Sequence, residues 1–231
     1  MKKELRAQDH ALTDYHALCI GMDEWTHDAT TMSYLFVTDL RYRRKHVHVL
    51  NKDKGPTRQE VLDYIASLNP KNHSRAVSVG PKDIFVLYYS GHGTKDGEGD
   101  FLFHTAGDQK LSQRDMTEAV AQLPAQHAVF IIDACHAGAF KPVVENMSTA
   151  VLAAVRSNEL LHDSYAELLR ERSNAMVKER GSVYPYFLAQ NIENFTFNSG
   201  QWKQVSIGPL GQVCSTMFPV WCTPAVSINK V

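Results

Sequence analysis

Two stretches of this chain decide its fold: Asp83-Ile-Phe-Val-Leu-Tyr-Tyr-Ser-Gly-His92-Gly93 and His127-Ala-Val-Phe-Ile-Ile-Asp133-Ala-Cys135-His136-Ala-Gly138. Each is a run of β-branched and aromatic residues that ends in a loop of small residues. Such runs predict strands that are buried on both faces and lie side by side in a parallel sheet. Parallel strands bring their carboxyl ends to one edge, where open α/β sheets bind ligands. We therefore expect His92 and Cys135 to meet at that edge.

The elements around these two strands alternate between strand and helix patterns. The predicted strands are residues 16–21, 45–50 and 101–103, and the predicted helices are residues 28–40, one after the capping box Thr57-Arg-Gln-Glu60, and one that begins near Ser112. The order β-α-β-α-β-hairpin-α-β predicts an α/β protein, with a parallel sheet covered by helices on both faces.

Beyond Phe140 the patterns are weaker. Residues 158–180 fit a charged helix that ends at Gly181, and residues 182–189 fit an edge strand because of Pro185. Residues 138–183 are interpreted as a surface connection. We predict an N-terminal extension over residues 1–14 and one domain over residues 15–231.

The composition narrows the class of protein. The chain has 231 residues, enough for one large domain, and its formal net charge of -1 gives no reason to expect nucleic acid or an acidic membrane as a partner. No apolar run approaches the length of a membrane-spanning helix, and the first ten residues are too polar for a signal peptide. Four cysteines without close pairing or metal-binding spacing predict free thiols in the cytoplasm.

The two predicted loops carry the parts of a nucleophilic site. A thiol is a good nucleophile only as a thiolate, and a neighbouring histidine favours that form by taking the proton. We therefore predict that Cys135 is the nucleophile and His92 the base. Loop glycines such as Gly93 and Gly138 let backbone N–H groups turn toward a substrate.

These residues resemble the two active-site motifs of caspase-like cysteine peptidases. Ser90-Gly-His92-Gly93 and Asp133-Ala-Cys135-His136-Ala-Gly138 are most similar to the motifs of metacaspases and prokaryotic caspase homologues. The resemblance covers residues 15–140 well. It implies a three-layer α/β/α sandwich around a mostly parallel sheet, with a large-subunit-like part at 15–140, a connecting segment at 141–181 and a small-subunit-like part at 182–231.

The resemblance also implies roles for individual residues. The N–H groups of Gly93 and Cys135 would form the oxyanion hole. Metacaspases prefer Arg or Lys before the scissile bond, and their acidic pocket residues correspond to Asp133 and Asp28, with Ser90 lining the same pocket. Two carboxylates facing a guanidinium favour a basic residue physically as well.

The function implied is a cysteine endopeptidase (a thiol protease) that cleaves proteins or peptides after Arg or Lys and acts in cell death or defence. Self-processing within the connecting segment, which carries several Arg and Lys residues, and a regulatory protein partner are part of this expectation. The alternatives are a non-catalytic caspase-like interaction module, and the protease part of a larger signalling protein.

An acidic loop provides the remaining candidate site. Asp96, Glu98, Asp100 and Asp108 are expected to be solvated turn residues, with a calcium site as the minority alternative. No resident metal or other cofactor is predicted.

Overall fold

A computed structural model describes residues 14–72, 77–142, 144, 147–154, 157–158 and 225–229. In chain order the elements are β1 (Tyr15–Gly21), α1 (Thr26–Thr38), β2 (Val47–Leu50), α2 (Arg58–Ser67), β3 (Ile84–Ser90), β4 (Gly93–Lys95), β5 (Phe101–Thr105), β6 (Gln109–Ser112), α3 (Gln113–Ala121), β7 (His127–Asp133), β8 (Ser148–Ala153) and β9 (Ala225–Asn229).

The main sheet has the strand order β2-β1-β3-β7-β8-β9. Its first five strands are parallel, and β9 pairs antiparallel with β8. The parallel arrangement predicted for the strands that lead to His92 and Cys135 is therefore confirmed. These two strands, β3 and β7, are direct neighbours in the middle of the sheet.

Alternate residues of the central strands face two separate cores. On one face, Cys19 and Tyr88 pack with the apolar stripe of α1, including Met32 and Phe36. On the other face, the core contains strand residues Leu18, Leu87 and Phe130 together with residues of α2 and α3 such as Val61, Ile65, Met116 and Val120. The sheet therefore lies between helices on both faces, which confirms the predicted three-layer α/β/α architecture.

Two of the helices, α2 and α3, begin where their capping signals place them, whereas α1 begins at Thr26, two residues before its predicted start. In α2 the Thr57 hydroxyl accepts a hydrogen bond from the Glu60 N–H at 3.3 Å, while the Glu60 carboxylate accepts from the Thr57 N–H at 2.9 Å. Ser112 and Asp115 form the same reciprocal arrangement at the start of α3. Each capping box satisfies backbone donors that the first turn leaves without an intrahelical partner.

A small antiparallel sheet, β4-β5-β6, follows the histidine loop. The sequence predicted residues 101–103 as a short strand or hairpin arm, and these residues lie in β5, whose alternating burial places Phe101 and Phe103 inside. The rings of Phe101, Phe103 and Phe140 pack edge to face, with centroids 4.7 to 6.1 Å apart. Phe140 follows the cysteine loop, so this aromatic cluster ties the small sheet to that loop.

The interpretation of residues 138–183 as a surface connection is wrong for β8. Ser148–Ala153 forms a mostly buried strand in parallel register with β7. A second difference concerns β2, which begins at Val47 because residues Arg44–His46 form a 3-10 turn. The helix predicted for residues 158–180, apart from Asn158, and the strand predicted for residues 182–189 lie outside the described residues. The proposed division into large and small parts stays a prediction.

Candidate active site

The register of β3 and β7 places the two candidate catalytic residues at equivalent positions. Ser90 and Asp133 are paired across the two strands, and His92 and Cys135 each follow two residues later. The loop that carries His92 is tied to β7 by a hydrogen bond from the Gly91 N–H to the Asp133 carbonyl oxygen at 3.2 Å. Both side chains therefore leave the same edge of the sheet from adjacent strands.

The cysteine loop leaves Cys135 partly exposed. Asp133 and Ala134 are buried, whereas Cys135 is half-buried. His136 adopts the left-handed conformation, with φ 60° and ψ 15°, and a 3-10 turn over Ala137–Ala139 follows. This abrupt change of direction ends β7 and turns the chain away just after Cys135. The His136 Nδ1 atom lies 3.1 Å from the carbonyl oxygen of Ser157 and forms a hydrogen bond that ties the loop to the segment after β8.

His92 is exposed, whereas its backbone carbonyl oxygen is fixed by hydrogen bonds. The ring of His92 meets the ring of Trp25 edge to face, with centroids 4.6 Å apart. The carbonyl oxygen of His92 accepts hydrogen bonds from the Tyr89 hydroxyl at 2.7 Å and from the His104 N–H at 3.2 Å. The imidazole ring of His104 lies 6.0 Å from that of His92, between ring centroids.

The two loops touch at Gly93. A Cβ atom at this position would lie 2.4 Å from the carbonyl oxygen of Cys135 and 2.6 Å from the Phe101 ring, which no side chain could tolerate. Glycine at residue 93 is therefore required by the close approach of the histidine loop to the cysteine loop.

The candidate specificity residues converge beneath these loops. Asp28, Asp133 and Ser90 are 3%, 2% and 0% exposed. The Ser90 hydroxyl donates a hydrogen bond to Asp28 Oδ2 at 3.0 Å, which links the end of β3 to the first turn of α1. The Tyr88 hydroxyl lies 3.3 Å from Asp133 Oδ2, to which it donates.

Tyr88 is a member of this group that the sequence analysis missed. Burial raises the pKa of its hydroxyl far above the usual range, and the nearby carboxylates of Asp133 and Asp28 raise it further. Tyr88 therefore stays protonated and acts as a hydrogen-bond donor. One signal could have revealed it: Tyr88 precedes Ser90 by two residues, so both side chains project from the same face of β3.

Trp25, Tyr89 and His104 were also missed as neighbours of His92. Trp25 precedes α1 directly, and the close packing of that helix start against β1 brings it to the site: a Cβ at Gly21 would lie 2.6 Å from the Trp25 carbonyl oxygen. This approach between distant residues has no local signal in the sequence.

The acidic loop has its own hydrogen bonds. Asp96 Oδ1 accepts from the N–H groups of Glu98 and Asp100, both at 2.9 Å, which is ordinary turn chemistry. Within the described ranges, no group of three or more His, Cys, Asp or Glu side chains is arranged to hold a metal ion. Calcium dependence stays a prediction. No helix in the described part of the chain has both the length and the apolar character needed to cross a bilayer.

Fold and loops together define a caspase-like α/β/α protein. A family model described as the caspase domain matches residues 14–193, more than half of the chain, so this protein belongs to the caspase-domain family. Its fold is similar to that of a Geobacter sulfurreducens protein of known crystal structure, with a TM-score of 0.66, 16% sequence identity and 94% of each chain covered. No curated protein matches the sequence. At that identity, the structural likeness shows the fold alone.

Proposed function

We propose that this protein is a cysteine endopeptidase in which Cys135 is the nucleophile and His92 the general base. The observation that supports it most is the register of β3 and β7, by which the half-buried Cys135 and the exposed His92 follow adjacent strands at one edge of the sheet. A thiol next to a base is the minimum arrangement for covalent acyl transfer. Membership of the caspase-domain family supports the same chemistry and suggests proteins as substrates.

The proposed reaction has two stages. His92 takes the proton of the Cys135 thiol, and the thiolate sulfur attacks the scissile carbonyl carbon. The N–H groups of Gly93 and Cys135 stabilise the oxyanion of the tetrahedral intermediate. Its C–N bond then breaks, and the imidazolium of His92 donates its proton to the leaving amine. In the second stage His92 deprotonates a water molecule, which attacks the acyl-thioester and releases the carboxylate product and the Cys135 thiol.

Specificity for Arg or Lys before the scissile bond is part of the proposal. Asp28 and Asp133 are two buried carboxylates, the first bonded to the Ser90 hydroxyl and the second to the Tyr88 hydroxyl. A guanidinium that reaches these carboxylates would form charge-assisted hydrogen bonds, whereas an acidic side chain would be repelled.

Fluorogenic peptides that differ only in the residue before the scissile bond test this function. Cleavage after Arg or Lys should exceed cleavage after Asp by orders of magnitude. A preference for Asp would overturn the assigned specificity. A purified protein that cleaves none of the peptides would favour the non-catalytic interaction module, once activation by calcium has been checked.

Self-processing is a further part of the proposal. Its candidate sites include Arg156, Arg170, Arg172, Lys178 and Arg180, which lie outside the described residues. New N-termini after these residues in the active protein, absent in Cys135→Ala, would support it. An intact chain that still cleaves peptides would show that activity does not require cutting.

The proposed setting is the cytoplasm, in cell death or defence, with a regulatory protein as partner. The cytoplasmic setting rests on the cysteine spacing, and the role in cell death or defence rests on the resemblance to metacaspases.

A further inference from the structure

One buried side chain, that of Tyr89, forms a hydrogen bond with the backbone of His92. Tyr89 is 1% exposed and faces the core that contains α2 and α3. Its hydroxyl lies 2.7 Å from the carbonyl oxygen of His92 and 2.9 Å from the carbonyl oxygen of His104. These two backbones are also joined directly, because the His104 N–H donates to the His92 carbonyl oxygen at 3.2 Å. The tyrosine hydroxyl therefore sits at the point where the histidine loop meets β5.

The surrounding residues leave space for this hydroxyl. A Cβ atom at Gly91 would lie 2.8 Å from the Tyr89 hydroxyl oxygen, so the residue before His92 has no side chain to displace it. The Tyr89 ring packs edge to face on Phe103, with centroids 5.0 Å apart. Burial raises the pKa of the phenol above its usual range, so the hydroxyl keeps the proton that it donates.

We infer that the Tyr89 hydroxyl is a positioning group for His92, which fixes the backbone of the general base so that its imidazole stays aligned with Cys135. This inference rests on the proposed function, since it assigns a role within that reaction. Tyr89 is in this role a positioning residue and not a catalytic one. It acts through the backbone carbonyl oxygen of His92, and this atom takes no part in proton transfer.

Tyr89→Phe tests the inference because it removes the hydroxyl and keeps the ring against Phe103. A misplaced catalytic group lowers the rate of the chemical step more than it weakens binding, so kcat should fall about 10- to 100-fold while KM changes less than about twofold. Tyr42→Phe is the matched control. The Tyr42 hydroxyl is also buried but has no hydrogen-bond partner in the described part of the chain, and Tyr42 packs near the amino-terminal ends of β1 and β2. Its removal should leave kcat unchanged.

Two further variants separate positioning from folding. Tyr89→4-aminophenylalanine restores a donor at the same place and should recover most of the lost kcat. Tyr89→4-fluorophenylalanine fills the space of the hydroxyl without a donor, so its kcat should fall as expected for Tyr89→Phe, and it replaces Tyr89→Phe as the test if that variant does not fold. Equal kcat per folded molecule for the fluorinated variant and the natural protein would overturn the inference while leaving the proposed function intact.

A measurement on the ring of His92 keeps the inference testable if the protein cleaves no peptide. In NMR spectra the Cε1–H signal of His92 should be single in the natural protein and in Tyr42→Phe. It should broaden or divide in Tyr89→Phe, because the loop then samples more than one position. An unchanged signal in Tyr89→Phe would overturn the inference independently of activity.

Discussion

The carbonyl oxygen of Cys135 lies so close to Gly93 that a Cβ at residue 93 would stand 2.4 Å from it. The loop after β3 and the loop after β7 therefore form one packed unit, although their sequences are far apart. Ser90 and Asp133 are paired at the ends of β3 and β7, so both loops begin at the same edge of the sheet. A hydrogen bond from the Gly91 N–H to the Asp133 carbonyl oxygen joins them there. The relative placement of His92 and Cys135 thus follows from backbone geometry before either side chain is considered.

Gly93→Ala should damage both stability and activity. The added methyl group meets backbone at Cys135 and a packed ring at Phe101, so neither neighbour can move without disturbing the site. We expect a loss of about 1–3 kcal/mol in the free energy of unfolding, measured by urea denaturation, together with loss of peptide cleavage. Gly97→Ala is the control, since a Cβ there meets no atom within 4 Å. Similar behaviour of the two variants would contradict the close contact between the loops.

Cys135→Ala and His92→Ala should each lower kcat by roughly a thousandfold or more, and the double variant should be little worse than either. Non-additivity is expected because the thiol and the imidazole act as one unit. Steady-state kinetics on an Arg peptide measures all three. His127→Ala, at the opposite end of β7, is the control and should retain activity. Effects that multiply in the double variant would show that the two residues act separately.

Asp133→Asn should weaken recognition of Arg specifically. The amide can still accept the hydrogen bond from Tyr88, so mainly the charge is lost. Removing one buried partner of a guanidinium costs about 2–5 kcal/mol, seen as a fall in kcat/KM for an Arg peptide. A peptide with citrulline, the neutral analogue of Arg, should be much less affected by the same substitution.

The control for this experiment is Asp63→Asn, on the exposed face of α2. It removes one negative charge from the protein without touching the buried group. If Asp133→Asn lowered cleavage after Arg and after citrulline equally, Asp133 would not be an electrostatic determinant of specificity.

A stacked histidine pair predicts acid sensitivity. His16 and His46 are 2% and 5% exposed, and their rings lie 4.2 Å apart with a 12° angle between planes. Burial is the main cause that lowers the pKa of both, in His46 to about 4; His16 lowers the pKa of His46 further, as do Lys45 and Arg43 to a smaller extent, and His48 lowers that of His16. Asp83 opposes the effect on His16, as its carboxylate lies 3.2 Å from Nε2.

Since the folded pKa of His46 is below that of the unfolded chain, its contribution to stability is full above pH 6.5 and is lost as the pH falls toward 4. The free energy of unfolding should therefore decrease across this window in urea titrations. His46→Phe keeps a stacked ring and should reduce the slope. An identical slope in His46→Phe would contradict this account.

The sequence predicted the central elements well because their signals are local. The capping boxes at Thr57 and Ser112 mark helix starts through residues only three positions apart, and the apolar runs of β3 and β7 need no partner to be recognised as strands. The grouping of Asp28, Ser90 and Asp133 was implied only by the resemblance to the metacaspase motifs, not by a local pattern.

What the sequence did not reveal depends on contacts between distant residues. The run Ser148-Thr-Ala-Val-Leu-Ala153 contains two alanines, which are depleted in strands, and is recognisable as β8 only through its pairing with β7. His104 was missed for the same reason, because its N–H reaches the His92 carbonyl oxygen from a different strand. Tyr89 is close in sequence, but its hydroxyl bonds a backbone carbonyl oxygen of His92, which carries no residue-specific pattern.

The most direct test of the proposed function is covalent labelling of the thiol by a peptidyl acyloxymethyl ketone that carries Arg next to the reactive group. Mass spectrometry should place the label on Cys135 and not on Cys19, which is fully buried and whose pKa is raised by that burial. Labelling should require His92, and an Asp-containing analogue should react far more slowly. Absence of label on Cys135, or equal labelling by the Arg and Asp reagents, would contradict a cysteine peptidase that cleaves after basic residues.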